Sequence, residues 1–235
     1  MLSKLDISFG KWYNGTILPS GWSMKARPRT PEEIYGPALG KAMARFPGLD
    51  PGTVAARAAV TFEGEAQGPD RFLVLFFGKL YEIMWPSASV RRVADGEDAD
   101  VATRILLLHY LITADGTPMA SKWITFRQLP GGLGYDAAFQ GRANLRLARA
   151  FGHELAAFED AAAALGGERL EFGDAAFSFR ALPRAWLAVI LHLADEEFPA
   201  NASVLFDASA HHYLPTEDLA VLGGMLASQL VKRVR

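Results

Sequence analysis

The chain has 235 residues, half of them hydrophobic and 11% aromatic, with 24 Lys and Arg against 26 Asp and Glu for a net charge of −2. That composition supports one large or two small folded domains and excludes wholesale disorder. Near-neutral charge, with no Lys/Arg run longer than two residues, argues against nucleic-acid binding through phosphate neutralisation.

There is no cysteine, which excludes disulfides, thiolate zinc sites, protein-ligated iron–sulfur clusters and a cysteine nucleophile within this sequence. His, Asp and Glu remain as strong metal ligands. The longest apolar run, 105–113, is broken by His109 and falls well short of the roughly 20 residues a bilayer span needs. The N-terminus lacks the charged-then-apolar pattern of a secretory signal. The expectation is a cytoplasmic protein with neither membrane nor nucleic acid as partner.

Residues 1–23 carry Trp12, Tyr13, Trp22 and several glycines but no helical or alternating pattern. They read as an N-terminal extension or arm apart from the fold, with Met24 as an alternative start. Regular text begins at Thr30, where T-P-E-E offers Thr as N-cap, Pro at the first helical position and Glu33 to close a capping box. That helix should run to about residue 46, ahead of Pro47-Gly48, and D-P-G-T at 50–53 starts a short second one. β-rich runs follow at 59–63, 71–77 and 80–85, with Gly78-Lys79 as a tight hairpin turn and a further strand at 89–93. Asp98 and Asp100 then cap an apolar helix over 101–114, which Asp115-Gly116 ends.

The middle segment, K-W-I-T-F-R-Q-L-P-G-G-L-G at 122–134, reads as a short extended piece and a glycine-rich turn. Helices over 135–151 and 153–165 come next, then strands at 169–172, 175–180, 186–193 and 203–207. A last helix over 216–232 opens with Thr216 as its N-cap. The order helix, strands, proline turn, strand, capped helix occurs over 53–112 and again over 154–230, with D-A-D-V-A matching T-E-D-L-A at the final helix starts. The fold class is therefore α+β: antiparallel sheets with helices packed on one side, and a pseudo-twofold duplication of a helix–strands–helix unit as its candidate plan. Residues 24–235 form one domain, with candidate halves 30–115 and 135–235 joined by the glycine-rich segment.

Two stretches concentrate reactive side chains. The first, 206–223, reads F-D-A-S-A-H-H-Y-L-P-T-E-D-L-A-V-L-G. His211 or His212 is a candidate general base with Asp207 as orienter, and Tyr213 and Glu217 are candidate cofactor contacts. Adjacent histidines in an extended segment point to opposite sides, so one of the two should face the site. Glu217 and Asp218 are also explained by the dipole of the helix they open. The spacing matches no standard metal motif, and no particular cofactor follows from it. The second stretch offers Trp123, Arg127, Gly131, Gly132 and Tyr135: glycines admit close backbone approach, and Arg127 could clamp a carboxylate or phosphate. Arg142, Arg146 and Arg149 make a basic stripe best read as a solvated face, and His109 reads as a hydrogen-bonded core histidine. No G-x-S-x-G, H-E-x-x-H or dinucleotide fingerprint occurs.

The runs I-L-L-L-H-Y-L, W-I-T-F-R-Q-L-P-G-G, F-G-D-A-A at 172–176 and F-D-A-S-A-H-H-Y-L-P-T-E-D-L-A-V-L-G resemble the prokaryotic domain-of-unknown-function family 3786, over about 31–232. The resemblance implies no assigned activity. It implies an association with anaerobes and with corrinoid and carbon-monoxide-dehydrogenase metabolism, some members carrying a cysteine-rich iron–sulfur segment that this chain lacks. Three functions stand: an accessory protein binding a cofactor or partner in such one-carbon metabolism, a His/Asp-dependent hydrolase or transferase, and a purely structural protein–protein interaction domain.

Overall fold

The computed structural model describes residues 30–64 and 68–233, so the arm at 1–23 lies outside the described residues. Helix α1 (Pro31–Arg45) starts as its sequence dictates: Thr30 Oγ1 accepts from the Glu33 amide at 3.3 Å while Glu33 Oε2 takes the Thr30 amide at 2.9 Å. Asp50 caps α2 (Pro51–Ala58) by accepting from the Thr53 amide at 2.8 Å. Strands β1 (Thr61–Glu63), β2 (Arg71–Phe76), β3 (Lys79–Met84) and β4 (Val90–Arg92) follow as an antiparallel meander. Phe72, Val74, Phe76, Tyr81, Ile83 and Val90 alternate onto its buried face, where Phe46 from the turn after α1 packs edge-on against Phe72. Leu75 and Leu80, cross-strand partners, stay exposed on the other face. Apolar alternation with period two is what buries one face and wets the other.

The β2–β3 turn lies one residue earlier than Gly78-Lys79. Phe76 pairs with Lys79, leaving Phe77 and Gly78 as the loop at φ 46° and 73°, the double positive φ of a type I′ turn. A bulky residue sits in the first left-handed position, and its amide donates to the Ala181 carbonyl at 2.9 Å on a distant strand.

Helix α3 (Val101–Thr113), capped by Asp100, leads through a loop to β5 (Trp123–Thr125) and two 3-10 turns, Phe126–Gln128 and Gly132–Tyr135. The single helix expected over 135–151 is instead two, α4 (Asp136–Arg142) and α5 (Asn144–Phe151), broken at Ala143 (φ −115°, ψ −70°). Asn144 explains the break. Its buried amide donates to Gln140 at 2.7 Å and its Oδ1 accepts the Val204 amide at 3.0 Å, tying the helix start to a strand. A continuous helix would carry that polar group elsewhere. After α6 (Leu155–Ala164) come β6 (Glu168–Leu170), β7 (Ala175–Leu182), β8 (Ala185–His192), β9 (Asn201–Asp207) and α7 (Thr216–Val231). The second sheet has the order β5-β9-β8-β7-β6, antiparallel throughout. Phe177, Phe179, Leu187, Val189, Val204 and Phe206 fill its buried face, and α5 packs along β9.

The element order α2-β1-β2-β3-β4-α3 is repeated by α6-β6-β7-β8-β9-α7, each with a four-strand meander. Equivalent elements touch, β2 against β7 and α3 against α7. At α7 the expected cap is corrected. Pro215 holds the N-cap position, and Thr216, one residue inside, donates its hydroxyl to the Pro130 carbonyl at 2.7 Å. Asp218 is no exposed dipole residue either: it is buried and takes His109 Nδ1 at 2.6 Å. No helix among the described residues is long and apolar enough to cross a membrane.

Candidate functional site

The loop between α3 and α4 lies over the turn between β9 and α7. Strand β5 pairs with β9, Trp123 opposite Asp207, and the ladder extends through the Ala208 amide to the Lys122 carbonyl at 2.9 Å. Asp207, fully buried, binds the loop from the β9 side. Its Oδ1 accepts the Ala120 amide at 3.0 Å, the Ser209 amide at 2.9 Å and the Ser209 hydroxyl at 2.5 Å, while Oδ2 is buried without a partner. Burial opposes ionisation of this carboxyl, but the Ser209 hydroxyl and the amides outweigh it and hold it below the ordinary value. Asp207 therefore fastens the two segments and is hydrogen-bonded to neither histidine.

The histidines occupy a 3-10 turn, Ala210–His212, rather than extended chain. Instead of diverging, their rings lie together, 4.2 Å between centroids. His211 is exposed. His212 directs Nδ1 at Asp115 Oδ2, 2.7 Å away, with Thr117 Oγ1 at 3.2 Å. The carboxylate hydrogen-bonded to a histidine here is Asp115, whereas Asp207, the orienter the sequence suggested, bonds to Ala120 and Ser209. Burial pushes the Asp115 carboxyl up, yet the Thr117 hydroxyl and amide and the His212 ring prevail and bring it to about 2. With Nδ1 given to a carboxylate, Nε2 is the ring nitrogen left for proton transfer.

Tyr213 is fully buried, donates its hydroxyl to the Thr117 carbonyl, and lies 5.8 Å centroid to centroid from Tyr110. Burial raises both phenols above their usual range. Trp123 is half-buried and Glu217 half-buried, whereas Arg127, Gly131 and Tyr135 are exposed. Gly132 has a steric reason to be glycine: a Cβ there would overlap the Phe126 carbonyl oxygen. The sequence-nominated stretches are brought together, but their chemistry faces different ways: Asp207 and Tyr213 inward, Arg127, Tyr135 and His211 outward. A shallow apolar depression on the first sheet, lined by Gly78, Lys79, Leu80, Arg92, Val93 and Ala94, holds none of them. Among the described residues no group of three or more His, Asp or Glu is placed to hold a metal ion.

The family model described as a domain of unknown function (DUF3786) matches residues 50–229. The chain belongs to that family. No curated protein and no solved structure matches it. The DUF3786 match begins at the Asp50 cap of α2 and ends inside α7, so it takes in both repeats and leaves α1 outside. Sequence reasoning missed Asp115 and Thr117 in this DUF3786 chain. Asp115 reads as a helix stop, and its partner is 97 positions away. No local spacing signals that pairing.

Proposed function

We propose that this DUF3786 chain is a binding module whose recognition surface is the loop from Thr117 to Tyr135, with His211 at its border. The observation that carries this reading is an exposed apolar set on a fastened loop. Met119, Leu133 and Tyr135 are 37%, 63% and 43% exposed, while Ala120, Lys122 and Pro130 on the same loop are hydrogen-bonded to Asp207, Ala208 and Thr216. Apolar side chains displayed on pre-organised backbone favour a partner or flat ligand, because little ordering entropy is lost on binding. Arg127, exposed on the same loop, supplies a charge for orientation. The finer reading, an accessory role in corrinoid or one-carbon metabolism of anaerobes, rests on the family resemblance alone.

Anaerobic co-purification with identification of bound small molecules and proteins tests it. A companion bound by wild type should be lost from a Leu133→Glu/Tyr135→Ala variant of unchanged melting temperature; identical companions in both would end the proposal.

A second reading is favoured by the 2.7 Å His212–Asp115 pair: acid–base chemistry in a hydrolase or transferase, with His212 as base and Asp115 as orienter. Hydrolysis of model esters or phosphoesters would have to fall about 10²–10⁴-fold in His212→Ala; equal rates would dismiss it.

A further inference from the structure

Charges of opposite sign are segregated onto adjoining elements. Residues 137–153, which run from α4 through α5, hold three arginines and no acid. The β6–β7 loop (171–174) and the β8–β9 loop (193–200) hold five acids and neither Lys nor Arg. Arg142, Leu145, Arg146 and Arg149 recur at three- and four-residue spacing and are exposed, while Leu147, Ala148 and Phe151 turn α5 to the core. Among the described residues the guanidinium groups of Arg142 and Arg149 have no hydrogen-bond or ion-pair partner, and that of Arg146 has only Ser228 Oγ, at 2.6 Å. The acidic loops are braced by their own backbone: Asp174 Oδ2 accepts the Leu193 amide at 2.7 Å, and Asp195 Oδ1 accepts the Glu197 and Phe198 amides at 2.8 and 2.6 Å. What they display is Phe172 and Phe198, 50% and 66% exposed, beside the Glu196 and Glu197 carboxylates, which no cation pairs among the described residues. Gly152 joins the two regions. Its carbonyl accepts the Ala194 amide at 3.0 Å, and a Cβ on it would lie 2.2 Å from the Ala200 Cβ. Both ends of the β8–β9 loop therefore meet the end of α5, three residues past Arg149.

A basic stripe and an acidic, aromatic knob in continuity are complementary to each other, and a twofold rotation lays each on its opposite. An acidic protein or an anionic bilayer covering the stripe would meet the knob's carboxylates beside it, and like charges brought together are repelled. A second copy of this chain presents the reverse order of charge. Arginine pairs with carboxylates and stacks on phenyl rings, so Arg142, Arg146 and Arg149 suit both the glutamates and Phe198, with Leu145, 49% exposed, as apolar floor. We propose that this face is a twofold interface between two copies of the chain, the acidic, aromatic knob of each seated on the arginine stripe of the other. The interface does not depend on Met119, Leu133 or Tyr135 of the loop surface proposed above.

Sedimentation of the full chain tests it, at about 100 μM, where a contact of micromolar affinity is saturated. Wild type should sediment at twice the 25.6 kDa chain mass, with a dissociation constant raised at least about tenfold between about 0.05 M and about 0.5 M sodium chloride, as exposed charges are screened. Arg142→Glu/Arg149→Glu and Glu196→Arg/Glu197→Arg should each be monomeric, because each sets like charges together in both halves of the interface. Mixed, the two variants should form a one-to-one heterodimer, since every contact is again between opposite charges. A monomeric wild type, self-association of either variant equal to wild type, or no heterodimer on mixing overturns the interface; a mixture heavier than a dimer overturns its twofold form. Should either reversed variant melt lower than wild type, Arg142→Gln/Arg149→Gln decides: a dissociation constant raised at least about tenfold, the loss of charge-assisted contacts, at the wild-type melting temperature supports the interface, and an unchanged constant overturns it.

Discussion

Asp115 shows how one carboxylate is set by its immediate surroundings. Its ordinary value of 3.8 is lowered to about 2 because the Thr117 hydroxyl and amide and the His212 ring outweigh the effect of burial. A carboxyl with a lower pKa in the folded than the unfolded chain stabilises the fold above the unfolded value, and that contribution disappears as pH falls through the folded one. The window here runs from about pH 4 down to about pH 2. Because the Asp115 side chain is 48% exposed, solvent screening keeps the effect small, under about 1 kcal/mol. Urea unfolding across that window should show Asp115→Asn losing less stability on acidification than wild type; parallel acid limbs would refute the assignment. Asp207 has a depressed carboxyl too, so part of the acid limb remains in the variant. At this scale the sequence was a partial guide. It nominated His211, His212 and Asp207 because those side chains cluster along the chain, and it missed Asp115 because the pairing is made by tertiary structure. Burial decided the rest: Asp207 is chemically suggestive in a sequence and, once fully buried under Ala120 and Ser209, serves as a fastener.

Helix α7 shows what an element requires beyond its periodicity. Gly223 lies on its buried side, where the rings of Phe139 and Phe206 come close enough that an added Cβ would stand 2.7 Å from Phe139 Cε2 and 3.2 Å from Phe206 Cζ. Phe139 in turn stacks on Phe126 with centroids 4.4 Å apart, so its ring has little freedom to retreat. Gly223→Ala removes helix-destabilising glycine, a gain of about 1 kcal/mol, but overpacks this cluster at a cost of about 1–3 kcal/mol. Net destabilisation is expected, read as a lower urea midpoint, whereas Gly224→Ala, whose Cβ meets nothing within 4 Å, should stabilise. A rise at both positions would contradict the packing described. Most elements were legible from caps and alternation. Thr30 and Asp50 mark helix starts through bonds made within one turn, and strand residues such as Phe72 and Val74 declare their face by period two. The break at Ala143 was not legible, since it arises from the bond of Asn144 to the Val204 amide across 60 positions. Nor was the shift of the α7 cap, which follows from Thr216 reaching Pro130.

The whole molecule is held by contacts between its two repeats. His109 on α3 and Asp218 on α7 form a buried pair, Tyr110 faces Tyr213, and the Tyr110 hydroxyl gathers Ala58 and Arg184. Removing one member of a buried pair leaves the other unsatisfied, at a cost of about 3 kcal/mol. Asp218→Ala should lower stability by that order while leaving a single unfolding transition by circular dichroism and fluorescence, since the pair bridges the repeats. Loss of under about 0.5 kcal/mol, the usual scale for surface changes, would mean the pair contributes nothing. The repeat itself was legible as an order of elements; that equivalent elements would pack on one another was not, because no text records which faces meet. One bond between the repeats has a further consequence. The bulge at Ala181 leaves its carbonyl outside the β7–β8 ladder, and the Phe77 amide, outside its own, is the donor that meets it. Among the described residues the Phe77 amide has no other acceptor, so it is shielded from deuterium only while the repeats stay closed. Its exchange rate is a built-in gauge of how often they part.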